Sequence, residues 1–191
     1  MSVTSATLLQ RLRDRSDGEA WDRLVRLYTP LIRGWLARHL PQSADEDDLA
    51  QQVLTVVVEK LPTFEHNGRP GAFRAWLRGI CVNRLRMFWR TRPDPGPDPE
   101  AALRQLEDPN SDLSRRWDRE HDEHVARKLL DAIEHDFQPA TWQAFSRVVL
   151  DGAEPEAVAA ELGLGLSSVY AAKSRVLRRL RDEMAGLGVV D

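Results

Sequence analysis

Residues 71–92 read GAFRAWLRGICVNRLRMFWRTR. Arg74, Arg78, Arg84, Arg86, Arg90 and Arg92 stand there without one acid, interleaved with Phe73, Trp76, Phe88 and Trp89. Phe73, Trp76, Leu77, Ile80 and Leu85 recur at the spacing of a single helix face. The segment is therefore expected to fold as a helix with one apolar side buried and a basic remainder. The chain as a whole carries a net charge of −3, so this stretch is a local reversal of charge. Guanidinium groups attract phosphate and aromatic faces stack on unpaired bases, which suits single-stranded nucleic acid. An ordinary amphipathic helix with a solvated basic side satisfies the same pattern. The neighbouring segments must decide between the two.

The wider composition narrows the classes. With 191 residues, 42% hydrophobic and 30% charged, the chain fits a soluble globular protein of one or two domains. A mildly acidic total leaves nucleic-acid binding to local patches. Cys81 is the single cysteine and has apolar neighbours, so no disulfide framework exists and a reduced, cytoplasmic compartment is expected. No apolar run approaches the roughly 20 residues that span a bilayer, so no membrane association is expected. The N-terminal residues mix acids and bases without a long apolar core and do not read as an export signal.

Along the chain, residues 5–16 read as a short helix capped by Thr4 or Ser5, with a Leu8, Leu9 and Leu12 stripe, broken by Asp17-Gly18. A second helix starts near Glu19, and Pro30 is expected to kink or restart it. Residues 44–64, ADEDDLAQQVLTVVVEKLPTF, gather acids at a helix start, where the macrodipole favours them. Leu49, Val53, Val56, Val57 and Leu61 line its buried side; Asp48, Gln51, Gln52 and Thr55 are left outside. A turn-rich loop, 66–71, leads into the basic helix. Residues 93–112, PDPGPDPEAALRQLEDPNSD, are proline-rich and acidic and read as a flexible linker that can lie against a basic patch. A helix follows from Leu113 to about His135, with His121 and His124 read as helix-packing or solvated groups. Another opens at Pro139 and closes at Asp151-Gly152. In residues 155–184 a short helix, a turn at Gly163 and a longer helix capped by Ser167 make a helix-turn-helix pattern. Val169, Ala172, Val176, Leu180 and Met184 face inward on the longer helix.

The expected fold class is all-α: two small helical domains, 1–92 and 113–185, joined by a flexible acidic, proline-rich linker, 93–112, and followed by a tail, 186–191. The C-terminal domain is the helix-turn-helix. Taken together, these parts resemble a bacterial sigma-70 family factor of the extracytoplasmic-function (ECF) type over roughly residues 5–184. DDLAQQVLTVVVEKL is similar to the family's core-polymerase-binding helix, whose signature is Asp-Leu-x-Gln-Glu; Gln52 stands where Glu is usual. FRAWLRGICVNRL is similar to the promoter-melting helix, with Phe73, Trp76, Leu77, Ile80 and Asn83 at matching positions and Cys81 at a usual alanine. VAAELGLGLSSVYAAKSRVLRRL is similar to the upstream-element reader, with Ser168 at a usual threonine and Arg175 at a usual arginine.

The resemblance implies a sigma factor that binds bacterial core RNA polymerase and directs promoter recognition, DNA melting and transcription initiation. It leaves room for an anti-sigma protein as a further partner. It assigns core-polymerase binding to Asp47, Asp48, Leu49, Gln51 and Gln52. Single-stranded DNA of the minus-ten element falls to Arg74, Arg78, Asn83, Arg84, Arg86, Trp89 and Arg90. Duplex DNA of the minus-thirty-five element falls to Ser167, Ser168, Tyr170, Ala171, Lys173, Ser174, Arg175 and Arg178. Trp89 has an alternative in packing against the first helices, and Trp76 is expected to be mainly a core anchor. The alternative function is a one-component helix-turn-helix regulator, which leaves residues 71–92 and the acidic helix unused. No enzyme is expected: the acids of 45–48 crowd one helix start, whereas two-metal chemistry needs carboxylates converging from separate elements. No catalytic residue, metal site or cofactor is expected.

Overall fold

A computed structural model describes residues 8–14, 16–40, 43–65, 71–91 and 99–187. All regular structure among these residues is helical. The helices are α1 (Leu8–Arg11), α2 (Gly18–Ala37), α3 (Ser43–Lys60), α4 (Ala72–Arg90), α5 (Pro99–Glu107), α6 (Asp112–Ile133), α7 (Pro139–Phe145), α8 (Pro155–Leu162) and α9 (Leu166–Leu187). The chain divides into two compact units at Val125–Ala126, inside α6.

In the first unit, α2, α3 and α4 pack around a common core. Leu24, Ile32 and Leu36 of α2, Leu49, Val53 and Val57 of α3, and Leu77, Cys81 and Leu85 of α4 are all buried. Asp17 does not merely break the chain: its side chain accepts the Ala20 N–H at 3.1 Å and caps α2. Arg11 holds that carboxylate through two hydrogen bonds. Of the kink or restart expected at Pro30, the restart does not occur: α2 runs from Gly18 to Ala37 as one helix. Pro30 is exposed, so its ring faces solvent rather than the core. The Thr4 or Ser5 cap, the 66–70 part of the loop, Arg92, residues 93–98 and tail residues 188–191 lie outside the described residues.

The flexible linker expected at 93–112 is corrected over its second half. Residues 99–107 form α5, and Leu103 and Leu106 are 2% and 1% exposed against the first unit, where α5 packs on α4. Pro99 suits a helix's first turn, Glu100 favours the positive helix start, and the two leucines sit three residues apart on one face. Ser111 and the fully buried Ser114 close the turn into α6: the Ser114 N–H donates to Ser111 Oγ at 3.0 Å, and Ser114 Oγ donates to the Leu106 carbonyl at 3.3 Å.

The first half of α6 also belongs to the first unit, against the expected boundary at 113. Trp117 meets Trp35 edge-on at 5.0 Å, and His121, fully buried, lies 5.7 Å from the Tyr28 ring. His124 Nε2 is 2.7 Å from the Leu27 carbonyl, which requires a proton on that nitrogen. Both histidines therefore take the packing alternative rather than the solvated one.

The second unit, Ala126–Ala185, is built on Ile133, Phe145 and Val176 and on Ala144, Val158, Val169 and Ala172. Trp142 packs against Phe145 and Phe137, with ring centroids 5.4 and 6.4 Å away. After α7 the chain makes one wide π-type turn, where the Asp151 N–H reaches the Ser146 carbonyl at 3.0 Å. Gly163 has φ +64, and the Leu164 N–H reaches back to the Ala159 carbonyl at 2.9 Å, the glycine-dependent helix stop that separates α8 from α9. Ser167 is not the cap. The helix begins one residue earlier, at Leu166, and the Gly165 carbonyl takes the Ser168 and Val169 N–H groups.

Candidate nucleic-acid interface

Burial of Phe73, Leu77, Ile80, Cys81 and Leu85 fixes the rotation of α4. The opposite side then presents Ala75, Gly79, Asn83, Met87 and Arg90, all exposed and spaced by three or four residues. Small side chains at Ala75 and Gly79 leave a depression of about 290 Å³, bounded also by Asn83 of α4 and by Leu106 and Glu107 of α5. The Asn83 carbonyl oxygen accepts from Arg86 Nη1 at 3.2 Å, which leaves its amide N–H groups available. Arg84 is half-buried, with Nη1 3.9 Å from Met87 Sδ; Arg90 is exposed.

The remaining arginines of α4 do not stand in solvent. Arg78 is 7% exposed and donates to Asp118 at 3.1 Å. Arg74 lies 3.2 Å from Asp118 and 2.5 Å from Asp122, both on α6. Arg86 pairs with Glu107 at the end of α5. Burial alone would raise the Asp122 carboxyl, but hydrogen bonds from His121 and Arg74 outweigh it and hold the group below its ordinary range. Gly71, just before α4, has φ +75, and a β-carbon there would sit 2.7 Å from Arg74 Nη2. The glycine thus serves both a left-handed backbone and the close approach of a guanidinium.

Two expected DNA contacts change character. Trp89 is 8% exposed, which favours its packing alternative over stacking on a base. Arg78 is an interior ion-pair partner. Trp76 packs at 5.0 Å from Phe64 and 5.5 Å from Phe73, as an anchor should. Glu107, Asp118 and Asp122 were missed as members of this site. Their signal was the acid-rich composition of the segments after 93, set against an acid-free helix.

On α3, Asp47, Asp48, Gln51 and Gln52 are exposed along one side. Asp47 lies 2.5 Å from Arg33 Nη2, and Asp48 accepts from Gln52 at 2.9 Å. Leu49 is 1% exposed, so it holds the helix to the core and cannot itself face a partner. On α9, Ser167, Ser168, Tyr170, Ala171, Ser174, Arg175 and Arg178 are exposed, and Lys173 is half-buried. Arg175 Nε donates to the Ala171 carbonyl at 3.4 Å. Val169, Ala172 and Val176 face the core of the second unit.

Residues 24–93, from α2 through α4, match the family model described as sigma-70 region 2. Over that stretch the chain is similar to the sigma-70 family. The curated relatives it resembles are of the ECF type. It is 26% identical over 192 aligned residues to the "ECF RNA polymerase sigma factor SigE" of Mycolicibacterium smegmatis, covering 95% of this chain and 68% of that one. It is 29% identical over 149 residues to the "ECF RNA polymerase sigma factor SigD" of Mycobacterium bovis, covering 74% of this chain and 64% of that one. The chain thus spans about two thirds of the length of these relatives. A solved structure described as the RsbN–BldN complex aligns with 91% of this chain and 97% of its own, at 18% identity and a TM-score of 0.35. No helix among the described residues is long and apolar enough to cross a membrane.

Proposed function

We propose that this protein is a sigma factor that binds bacterial core RNA polymerase, opens promoter DNA and starts transcription without being an enzyme itself. The observation that carries this reading is the region 2 match over α2–α4, with Asn83 on the outward stripe of α4. The exposed polar side of α3, with Asp48 and Gln51, is the surface for core polymerase. The outward stripe of α4, with Asn83 and Arg90, takes the displaced strand, flanked by the half-buried Arg84 and Arg86. Extruding a base costs a few kcal/mol, and contacts to the exposed edge and backbone offset it. The exposed start of α9, with Ser167, Ser168, Tyr170 and Ala171, reads the upstream duplex in the major groove, while Lys173, Arg175 and Arg178 meet phosphates.

Run-off transcription with purified core polymerase tests this reading. Defined transcripts are expected only when the protein is added. Asn83→Ala should reduce permanganate-reactive strand opening more than it reduces holoenzyme assembly. Transcription that is indifferent to the protein, together with tight specific promoter binding by the free protein, would point instead to a one-component regulator.

A further inference from the structure

The basic helix is covered, and the cover is acidic. Three carboxylates from the segments that follow α4 occupy three of its arginines: Glu107 on Arg86, Asp118 on Arg74 and Arg78, and Asp122 on Arg74. These pairs fall into two kinds. The Arg78 side chain is 9% exposed, so its bond to Asp118 is an interior one. Asp122 and Glu107 are 48% and 50% exposed, and their arginines 21% and 33%. Partly exposed pairs of this kind are weak and exchange readily with other anions. A carboxylate gives a guanidinium the same planar pair of oxygen acceptors that a phosphate does.

The way α5 is held matches that exchange. It is nine residues long, too short to be stable as an isolated helix, and its buried contacts come from Leu103 and Leu106. Its end, Glu107, also forms one wall of the depression beside Asn83. The start of α6 is held more firmly, through Trp117 and His121.

We propose that α5, together with the Asp122 side chain on the fixed α6, is an autoinhibitory latch in which Glu107 and Asp122 stand where phosphates of the opened strand bind. This rests on the sigma-factor reading of α4. In the free protein, Arg74 and Arg86 are occupied and the depression beside Asn83 is walled by α5. A single strand that enters displaces Glu107 and Asp122 from the guanidinium groups and lifts α5 from α4. Asp118 remains on Arg78 throughout and keeps the buried charge paired.

The test uses the full chain and its E107Q/D122N variant, with Asp118 untouched, and a short fluorescein-labelled single-stranded DNA of mixed sequence. Circular dichroism first shows that both proteins are folded. The variant is expected to bind the strand about tenfold more tightly at low salt. Arg86, freed of Glu107, should steepen the variant's plot of log affinity against log salt by about 0.7, with a smaller gain from Arg74, which keeps Asp118. Hydrogen exchange on the wild-type chain supplies a readout without mutation: amides of 99–107 should exchange faster when the strand is added. Unchanged affinity and slope in the variant, or unchanged exchange over 99–107 in the wild type, would overturn the latch. Run-off transcription in parallel separates the two readings. Initiation by the wild type with no gain in strand binding by the variant defeats the latch alone, whereas failure of the wild type to initiate defeats the sigma-factor reading.

Discussion

Arg74 and Arg78 are one helical turn apart but differ in what removing their partners would do. Asp118 is the carboxylate of the nearly buried Arg78, and a buried charge left alone is costly. Asp118→Ala is expected to destabilise the first unit by about 3 kcal/mol, near the low end for a broken buried pair because Asp118 is one-third exposed. Urea denaturation followed by circular dichroism measures it. Asp122 titrates instead. Its carboxyl is lowered from 3.8 in the folded chain, so its contribution to stability is present above that value and is lost as pH falls through the folded one. Asp122→Asn should therefore make the loss of stability on acidification shallower, while stability at neutral pH falls slightly; denaturation midpoints along a pH series show both. Cys81 has no such role: burial pushes its thiol up, so it stays protonated and inert.

Among the helices, those read most easily from sequence had strong periodicity and clear ends. The α3 stripe of Leu49, Val53, Val56 and Val57, and the α8–α9 pair around Gly163, fall where the spacing placed them. The short α5 was hidden because the prolines at 93, 95 and 97 dominate its surroundings and only two leucines mark its buried face. The acids of α6 look like a solvated side until α4 is placed opposite them, because ion pairs 40 or more residues apart leave no local pattern. Trp89 could not be settled by spacing, since a basic aromatic helix offers its rings equally well to a core or to a base. The weight that α5 rests on its leucines is measurable. Leu106→Ala should destabilise the first unit by about 2 kcal/mol, the lower range for a truncated buried leucine, with early loss of amide protection confined to 99–107.

Over the whole molecule, 30 acids outweigh 27 lysines and arginines, so each task belongs to a local surface and variants should separate cleanly. Asp48→Ala with Gln51→Ala is expected to weaken capture by core polymerase severalfold with an unchanged circular dichroism spectrum; normal capture would remove α3 from that interface. In holoenzyme, Arg178→Ala should weaken binding to all promoters alike and lower the salt slope by about one, whereas Tyr170→Ala should change the preferred upstream sequence at a cost of about 1–3 kcal/mol. Binding measured over a salt series on promoters with varied upstream elements distinguishes them. The packing of Trp142 has an optical consequence. Of the six tryptophans, Trp21, Trp35, Trp76, Trp89 and Trp117 precede Val125, and Trp142 alone falls within the second unit. Near-ultraviolet emission that disappears in a Trp142→Phe protein is thus the private signal of the α7–α9 half, so the melting of each half can be followed by light in the intact chain.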